Sequence, residues 1–190
     1  MLKKFFTCLA LLVSMHSFAQ ETTTEVKGME EKTTSSTSTT SITDTPKYAS
    51  YKDLELGYVH AGGANGAYIG YITSSPFKQG KSAFGVDFGL KARWVAVSVG
   101  EKMYHSMGLG AYLGFSAQLK LSEKTALVPT TGLMCNYAIP LFKGGESNFG
   151  VGWDVGARIK YSGGYLSYIC SIPFEKGGGT THSVGIGFDF

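Results

Sequence analysis

Hydrophobic and polar residues alternate over long stretches of the chain. From Met107 to Leu121 every odd position is apolar, whereas the even positions are mostly glycine or polar residues. Segments beginning at Phe84, Phe149 and Val184 repeat this pattern. A period of two residues predicts β-strands that each have one apolar face. The pattern therefore indicates an all-β fold.

The length of the alternation distinguishes a membrane barrel from a soluble sheet. Strands of soluble proteins run about five or six residues, whereas several segments here alternate over more than ten. Large apolar residues share one face from Phe149 to Tyr161, and Asp154, Arg158 and Lys160 lie among glycines on the other. Twelve steps of a strand tilted by about 40° rise roughly 30 Å, which is enough to cross a bilayer.

Eight strands are predicted, and together they form an antiparallel up-and-down transmembrane β-barrel. The apolar side of the third strand switches near Arg93–Val95, which predicts a bulge. Dividing that strand would give nine strands, and a count of nine or ten stays open, but the short connections favour eight. The predicted strands are 54–61, 66–74, 82–99, 106–121, 124–138, 147–161, 164–173 and 181–190.

The N-terminal part of the chain has a different composition. Residues 1–19 have a basic start, a short apolar centre and Ala19 at the cleavage position, which is typical of a secretory signal peptide. The apolar centre is shorter than the ~20 residues that a membrane-spanning helix needs. Residues 20–47 are rich in threonine and serine and hold little to bury, so we predict a disordered periplasmic segment. Residues 48–190 then form the barrel.

The net charge excludes one class of partner. Signal cleavage would remove two of the 17 basic residues and none of the 14 acidic ones, so the formal charge falls from +3 to about +1. This near-neutral balance leaves no basic surface of the kind that binds nucleic acid.

The last predicted strand carries the most specific pattern. Phe190 ends the sequence, and Val184, Ile186 and Phe188 alternate behind it. In this and in its strand pattern the chain resembles the small outer-membrane β-barrel family, which includes OmpX and the membrane domain of OmpA. The resemblance covers residues 48–190. It implies that the barrel-insertion machinery recognises these four residues. It also implies secretion across the inner membrane and a final location among the lipids and lipopolysaccharide of the bacterial outer membrane.

Charged residues on the glycine-rich face form the candidate site. An eight-stranded barrel leaves no open bore, because side chains fill it, and charges buried there must be paired. The near balance of four acidic and five basic residues favours a salt-bridged closed interior over an ion or proton path. The residues predicted to face the interior are Glu55, Asp87, Lys91, Arg93, Lys120, Asp154, Arg158, Lys160 and Asp189.

Few residues could support catalysis or metal binding. Cys135 and Cys170 fall on strands five and seven, roughly 10 Å apart and beyond disulfide reach. The adjacent pairs His105–Ser106 and His182–Ser183 point to opposite faces of their strands, so neither is a nucleophile with its base. We therefore predict no catalytic residue, no metal site and no cofactor.

The sequence thus predicts a non-enzymatic, monomeric outer-membrane barrel with a structural or an adhesion and interaction role. Two alternatives remain open. One is a lipid A-modifying enzyme, either a deacylase or an acyltransferase, and the other is a narrow channel.

Overall fold

The computed structural model describes residues 49–77, 83–176 and 178–189. The predicted signal peptide, the Thr/Ser-rich segment and Phe190 lie outside these residues. The strands of the described part are β1 (Tyr51–Ala61), β2 (Ala64–Pro76), β3 (Phe84–Val99), β4 (Lys102–Ala117), β5 (Leu119–Lys120), β6 (Thr125–Pro140), β7 (Asn148–Tyr161), β8 (Gly164–Pro173) and β9 (Thr181–Asp189).

The strands form one closed antiparallel barrel. Strands adjacent in sequence pair with one another except β4 and β5, β1 pairs with β9, and β4 pairs with β6 to close the sheet. The two-residue β5 continues β4 after Gln118, because both pair with β6 in one register: Ser116 lies opposite Thr130, and Leu119 lies opposite Leu127. Strands β4 and β5 therefore occupy one position in the wall, and the predicted eight-stranded up-and-down barrel is confirmed.

The stagger of the strands fixes their tilt. From Glu55, the row of paired residues through β2 and β3 reaches Gly110, whereas the row through β9, β8, β7 and β6 reaches Lys120. These two ends lie ten positions apart on the same wall position. A stagger of ten over eight strands corresponds to a tilt of about 40°. Each residue then advances about 2.5 Å along the barrel axis, and each step to the next strand advances about 3 Å.

The bulge predicted near Arg93–Val95 is wrong. Strand β3 pairs with both neighbours without interruption from Gly85 to Ala96. Past this point, residues 97–104 of β3 and β4 extend beyond the paired part of β2 and β6 as a two-stranded ribbon. We call these residues the β3–β4 ribbon. The apolar side switches after Trp94 because the chain leaves the wall there, so its two faces no longer separate lipid from lumen.

The two faces of the wall differ as the alternation predicted. Inward positions carry glycine, serine, tyrosine and charged residues, many of them buried. The outward positions form a continuous apolar surface that is far larger than the apolar patches that soluble monomers expose. Such a surface suits contact with lipid. Outward residues that are between 41% and 56% exposed include Leu54, Leu56, Ile69, Leu90, Leu109, Val155, Ile159, Leu166, Ile172, Val184, Ile186 and Phe188.

The barrel has two distinct ends. Strand β1 begins and β9 ends at one of them, which we call the terminal end. The opposite end, the loop end, carries connections 62–63, 100–101, 141–147 and 174–180. The first of these turns needs glycine, since both of its residues have positive φ angles of 53° and 86°.

Two further features bear on the sequence predictions. Among the described residues, no helix is long and apolar enough to cross a membrane. Cys170 is a free thiol on β8. Strand β7 separates it from Cys135 on β6, as the strand order predicted: Cys170 lies opposite Val155, and Cys135 lies opposite Val151.

Candidate functional site in the barrel interior

The structure places the nine charged residues predicted for the interior in different environments. Glu55 and Asp87 are 0% exposed, Asp154 and Arg158 are 2% exposed, and Lys160 is 8% exposed. The other four are less enclosed. Lys91 and Arg93 on β3 are half-buried, whereas Lys120 and Asp189 at the terminal end are exposed.

Arg158 and Asp87 form an ion pair across the lumen. The Arg158 Nη1 atom of β7 lies 3.1 Å from the Asp87 Oδ2 atom of β3. The same nitrogen donates to the hydroxyl of Tyr51 on β1 at 2.8 Å. Three strands that do not pair with one another are therefore joined across the interior.

Hydroxyl groups supply further donors to the Asp87 carboxylate. Ser74 Oγ lies 2.5 Å and Ser116 Oγ lies 2.7 Å from its Oδ1 atom. Thr130 Oγ1 approaches Oδ2 at 3.4 Å and also contacts the Tyr112 hydroxyl at 2.6 Å. A fully buried carboxylate needs such donors, because burial removes its water shell. The cluster thus includes side chains from β1, β2, β3, β4, β6 and β7.

Glu55 is the centre of a second cluster. Its carboxylate accepts hydrogen bonds from the Tyr68 hydroxyl, from the Tyr165 hydroxyl at 2.8 Å and from Ser167 Oγ at 2.9 Å. The Lys91 ammonium lies 5.1 Å from the centre of the Tyr68 ring, close enough for a cation–π contact. These groups come from β1, β2, β3 and β8.

Glycine makes room for the Glu55 cluster. A Cβ atom added to Gly185 would collide with the Tyr68 hydroxyl and would lie 2.8 Å from Glu55 Oε1. At Gly187 it would collide with the ring of Tyr165. The alternation of glycine with large residues on the inner face is therefore a packing requirement.

Lys160 closes the cluster nearest the terminal end. Its Nζ atom lies 3.3 Å from Asp53 Oδ2 and 3.1 Å from Asp189 Oδ1. It also lies 3.3 Å from the centre of the Tyr51 ring. Lys120 lines an open cavity of about 410 Å³ at this end together with Lys160 and Asp189, but it makes none of the ion pairs found in the described residues.

Asp154 and Arg93 lie nearer the loop end. Arg93 Nη2 donates to Asn136 Oδ1 of β6. Asn136, Asp154 and Ser171 line a small cavity of about 70 Å³. Oδ1 of Asp154 has no hydrogen-bond partner among the described residues. Arg158 shares the inward face of β7 with Asp154, as predicted, and its ion-pair partner is Asp87 of β3.

Sequence reasoning missed Asp53 and the interior tyrosines. Asp53 is 0% exposed and has the same parity as Glu55, but strand 1 was predicted to begin one residue after it. Tyr51, Tyr68 and Tyr165 alternate with polar or small inward residues. Their parity could have revealed them, whereas their role as donors and ring partners depends on neighbours from distant strands.

The histidines lie outside this interior. His60 Nδ1 contacts Asn65 Oδ1 at 2.9 Å, and His182 Nδ1 contacts the Tyr168 hydroxyl at 2.8 Å, all on the outward face. His105 stacks on Trp94 with ring centres 5.2 Å apart. Among the described residues, no group of three or more His, Cys, Asp or Glu side chains is arranged to hold a metal ion.

Comparison with known proteins gives structural likeness only. No family model and no curated protein matches the chain. The outer-membrane protein Ail of Yersinia pestis, crystallised with the heparin analogue sucrose octasulfate, is similar at 14% identity and a TM-score of 0.45, covering 75% of this chain and 100% of Ail. The structure of Ail in a phospholipid nanodisc is similar at 15% identity and a TM-score of 0.43, again covering 75% of this chain and 100% of Ail.

The N-terminal β-barrel domain of Pseudomonas aeruginosa OprF is also similar, at 14% identity and a TM-score of 0.36, covering 75% of this chain and 100% of that domain. At these identities the likeness concerns the barrel fold alone.

Proposed function

We propose that the protein is a non-enzymatic outer-membrane β-barrel whose interior is closed by its own side chains, with a structural or an adhesion role at the cell surface. The observation that carries this proposal is the Arg158–Asp87 pair. Both side chains are almost fully buried, at 2% and 0% exposed, and they meet across the lumen at 3.1 Å.

The two clusters above and below this pair support a closed interior. Glu55 is enclosed by two tyrosines and a serine, and Lys160 bridges Asp53 and Asp189 at the terminal end. In the described part of the chain, these side chains pair with one another and occupy the lumen between the strands. The arrangement favours a plug over a channel.

The outward face supports a location in the outer membrane. A closed barrel has no open sheet edge, and its apolar outer residues match a lipid environment. On this proposal the terminal end faces the periplasm. Residues 1–19 direct secretion, and the insertion machinery recognises Val184, Ile186, Phe188 and Phe190. The barrel then works as a monomer among outer-membrane lipids and lipopolysaccharide.

The positions of the histidines support a non-enzymatic protein. A hydrolytic relay needs a histidine within hydrogen-bond reach of a nucleophile and of an orienting carboxylate. In the described part of the chain, His60 and His182 contact an asparagine and a tyrosine instead.

The loop end supports an adhesion or interaction role. The β3–β4 ribbon projects beyond its neighbours, and Val99 and Met103 near its tip are 61% and 62% exposed. Tyr104 of the ribbon packs edge-on against Phe142 of the 141–147 loop, with ring centres 5.0 Å apart. This contact braces the ribbon, and a braced apolar tip is a feature of binding surfaces.

Two measurements test the proposal. Purified protein that migrates as a heat-modifiable folded band should show no steady single-channel conductance in planar bilayers. Lipid A from cells with and without the gene should have the same mass spectrum. Steady conductance would contradict the proposal and indicate a channel. A changed acylation pattern would contradict it and indicate a lipid A-modifying enzyme.

A further inference from the structure

The apolar strip on the outward face of β1 is unusually short. It consists of Leu54, Leu56 and Tyr58, which are 41%, 48% and 50% exposed. The outward residues on either side of it, Lys52 and His60, are polar and exposed. Eight residue steps separate these two polar side chains, so they lie only about 20 Å apart along the barrel axis.

Both neighbouring strands continue the polar edge at the loop end, and β2 continues the one at the terminal end. His60 lies opposite Asn65 of β2 and opposite His182 of β9. At the terminal end, Lys52 lies opposite Thr73 of β2. We call the outward surface of β9, β1 and β2 the thin wall.

The opposite side of the barrel is taller. On β7 the outward positions from Phe149 to Tyr161 are all apolar: Phe149, Val151, Trp153, Val155, Ala157, Ile159 and Tyr161. Twelve steps correspond to about 30 Å, which matches the apolar band of an outer-membrane barrel with its aromatic girdles. The apolar strip of β1 is therefore about 10 Å shorter than that of β7.

The polar edge at the loop end is a connected, wet surface. Asn65 Oδ1 accepts hydrogen bonds from the Tyr58 hydroxyl and from His60 Nδ1, and His60 and Asn65 are both exposed. The Tyr168 hydroxyl of β8 contacts His182 Nδ1 at 2.8 Å. Acyl chains that covered these groups and Lys52 would remove their hydrating water, which is energetically costly. A bilayer normally relieves such a hydrophobic mismatch by a small local change in its thickness.

We propose that the thin wall locally thins the bilayer and that lipid phosphate groups contact its two polar edges. His60 and His182 meet the phosphates of one leaflet, and Lys52 meets those of the other. Complementary polarity identifies the lipid headgroup as the occupant: Lys52 is a cation, the imidazole and amide groups of the other edge can hydrogen-bond to a phosphate, and the described outward positions of β9, β1 and β2 hold no acidic residue.

Refolding into phosphatidylcholine vesicles of graded acyl length, from 10 to 18 carbons, tests the proposal. The double variant His60→Leu/His182→Leu extends the apolar strip, so its folded fraction should shift toward longer chains relative to the unaltered protein. His105→Leu is the control, because His105 is an outward histidine of β4, which lies outside the thin wall. It should leave the preference unchanged. An unchanged preference in the double variant, or an equal shift in the control, would overturn the proposal.

Depth measurement by brominated lipids gives an independent readout. Tyr58 lies opposite Ala67, which lies opposite Trp94, and this row climbs toward the loop end by about 3 Å per strand. If the bilayer around the barrel is flat, a tryptophan at position 58 lies about 6 Å farther than Trp94 from the bilayer surface at the loop end. Thinning should make the two depths equal.

The two proteins to compare are the triple variant Tyr58→Trp/Trp94→Phe/Trp153→Phe and the single variant Trp153→Phe, each of which retains one tryptophan. A residue 58 that remains about 6 Å deeper would contradict local thinning. Dimers held through the thin wall, detected by photobleaching steps in dilute vesicles, would show that a second copy and not lipid covers this surface.

Discussion

Removing either partner of the Arg158–Asp87 pair should destabilise the barrel strongly. Removing both should lower the free energy of unfolding by far less than the sum of the two single effects. Arg158→Met deletes the cation and retains much of the side-chain volume. Asp87→Leu deletes the anion. The double variant leaves neither charge buried alone, and this difference isolates the contribution of the pair.

The structure indicates the order of the effects. After Arg158→Met, the Asp87 carboxylate keeps its hydroxyl donors Ser74 and Ser116. After Asp87→Leu, the guanidinium keeps the Tyr51 hydroxyl as a partner but lies 2% exposed without a counter-charge. Breaking a buried pair typically costs about 3–5 kcal/mol. We expect Arg158→Met near the lower end of this range and Asp87→Leu near the upper end.

Urea unfolding in lipid vesicles, followed by the shift of the folded band on unboiled gels, measures the free energies. The coupling energy of the cycle should be at least about 2 kcal/mol. Glu123→Leu and Lys124→Met form a matched control cycle, because both residues are exposed at the terminal end. Their effects should add. Additivity within about 0.5 kcal/mol at Asp87 and Arg158 would refute the reasoning, since it would mean that water already screens the pair.

Three further changes test other parts of the structure. Gly185→Val should lower the unfolding midpoint sharply because its side chain would enter the Glu55 cluster, whereas Gly150→Val should be tolerated, since nothing lies within 4 Å of an added Cβ there; equal midpoints would contradict this packing. Lys160→Met should cost about 2–4 kcal/mol by leaving Asp53 buried without its cation, and Lys120→Met, on the same cavity, should have little effect. Removing Phe190 should reduce surface levels far more than Asp189→Asn, and equal levels would count against a terminal insertion signal.

Alternation was sufficient to predict the wall of this barrel. A lipid-facing surface tolerates almost any large apolar side chain, so the outward pattern is long and regular. The strand number followed from counting these segments and their turns. The bulge on β3 was predicted because the apolar side changes at Trp94, but the pairing shows that the strand continues unbroken and leaves the wall there. The residue pattern of a single strand does not show where the neighbouring strands of the sheet end.

Parity also limits what can be inferred about the interior. It places Asp87 and Arg158 on inward faces but leaves their partners open. Their pairing depends on the stagger of ten residues, which places Asp87 of β3 and Arg158 of β7 at the same height along the barrel axis. Lys120 shows the same limit. It has the parity of an inward residue, but it lies so near the terminal end that it is exposed.

The tyrosines explain how so many charges can be held inside a structure surrounded by lipid. Tyr68 and Tyr165 donate to Glu55, and the ring of Tyr51 lies under the Lys160 ammonium while its hydroxyl accepts from Arg158. A tyrosine fills lumen volume with an apolar ring and places a polar atom at its tip, so it satisfies a charge without adding another. Glycine on the adjacent strand supplies the space, as Gly187 does for Tyr165. On the proposed function, the pairing of glycine with tyrosine on the inner face is what a plugged lumen requires, since an open lumen would need neither the rings nor the space beside them.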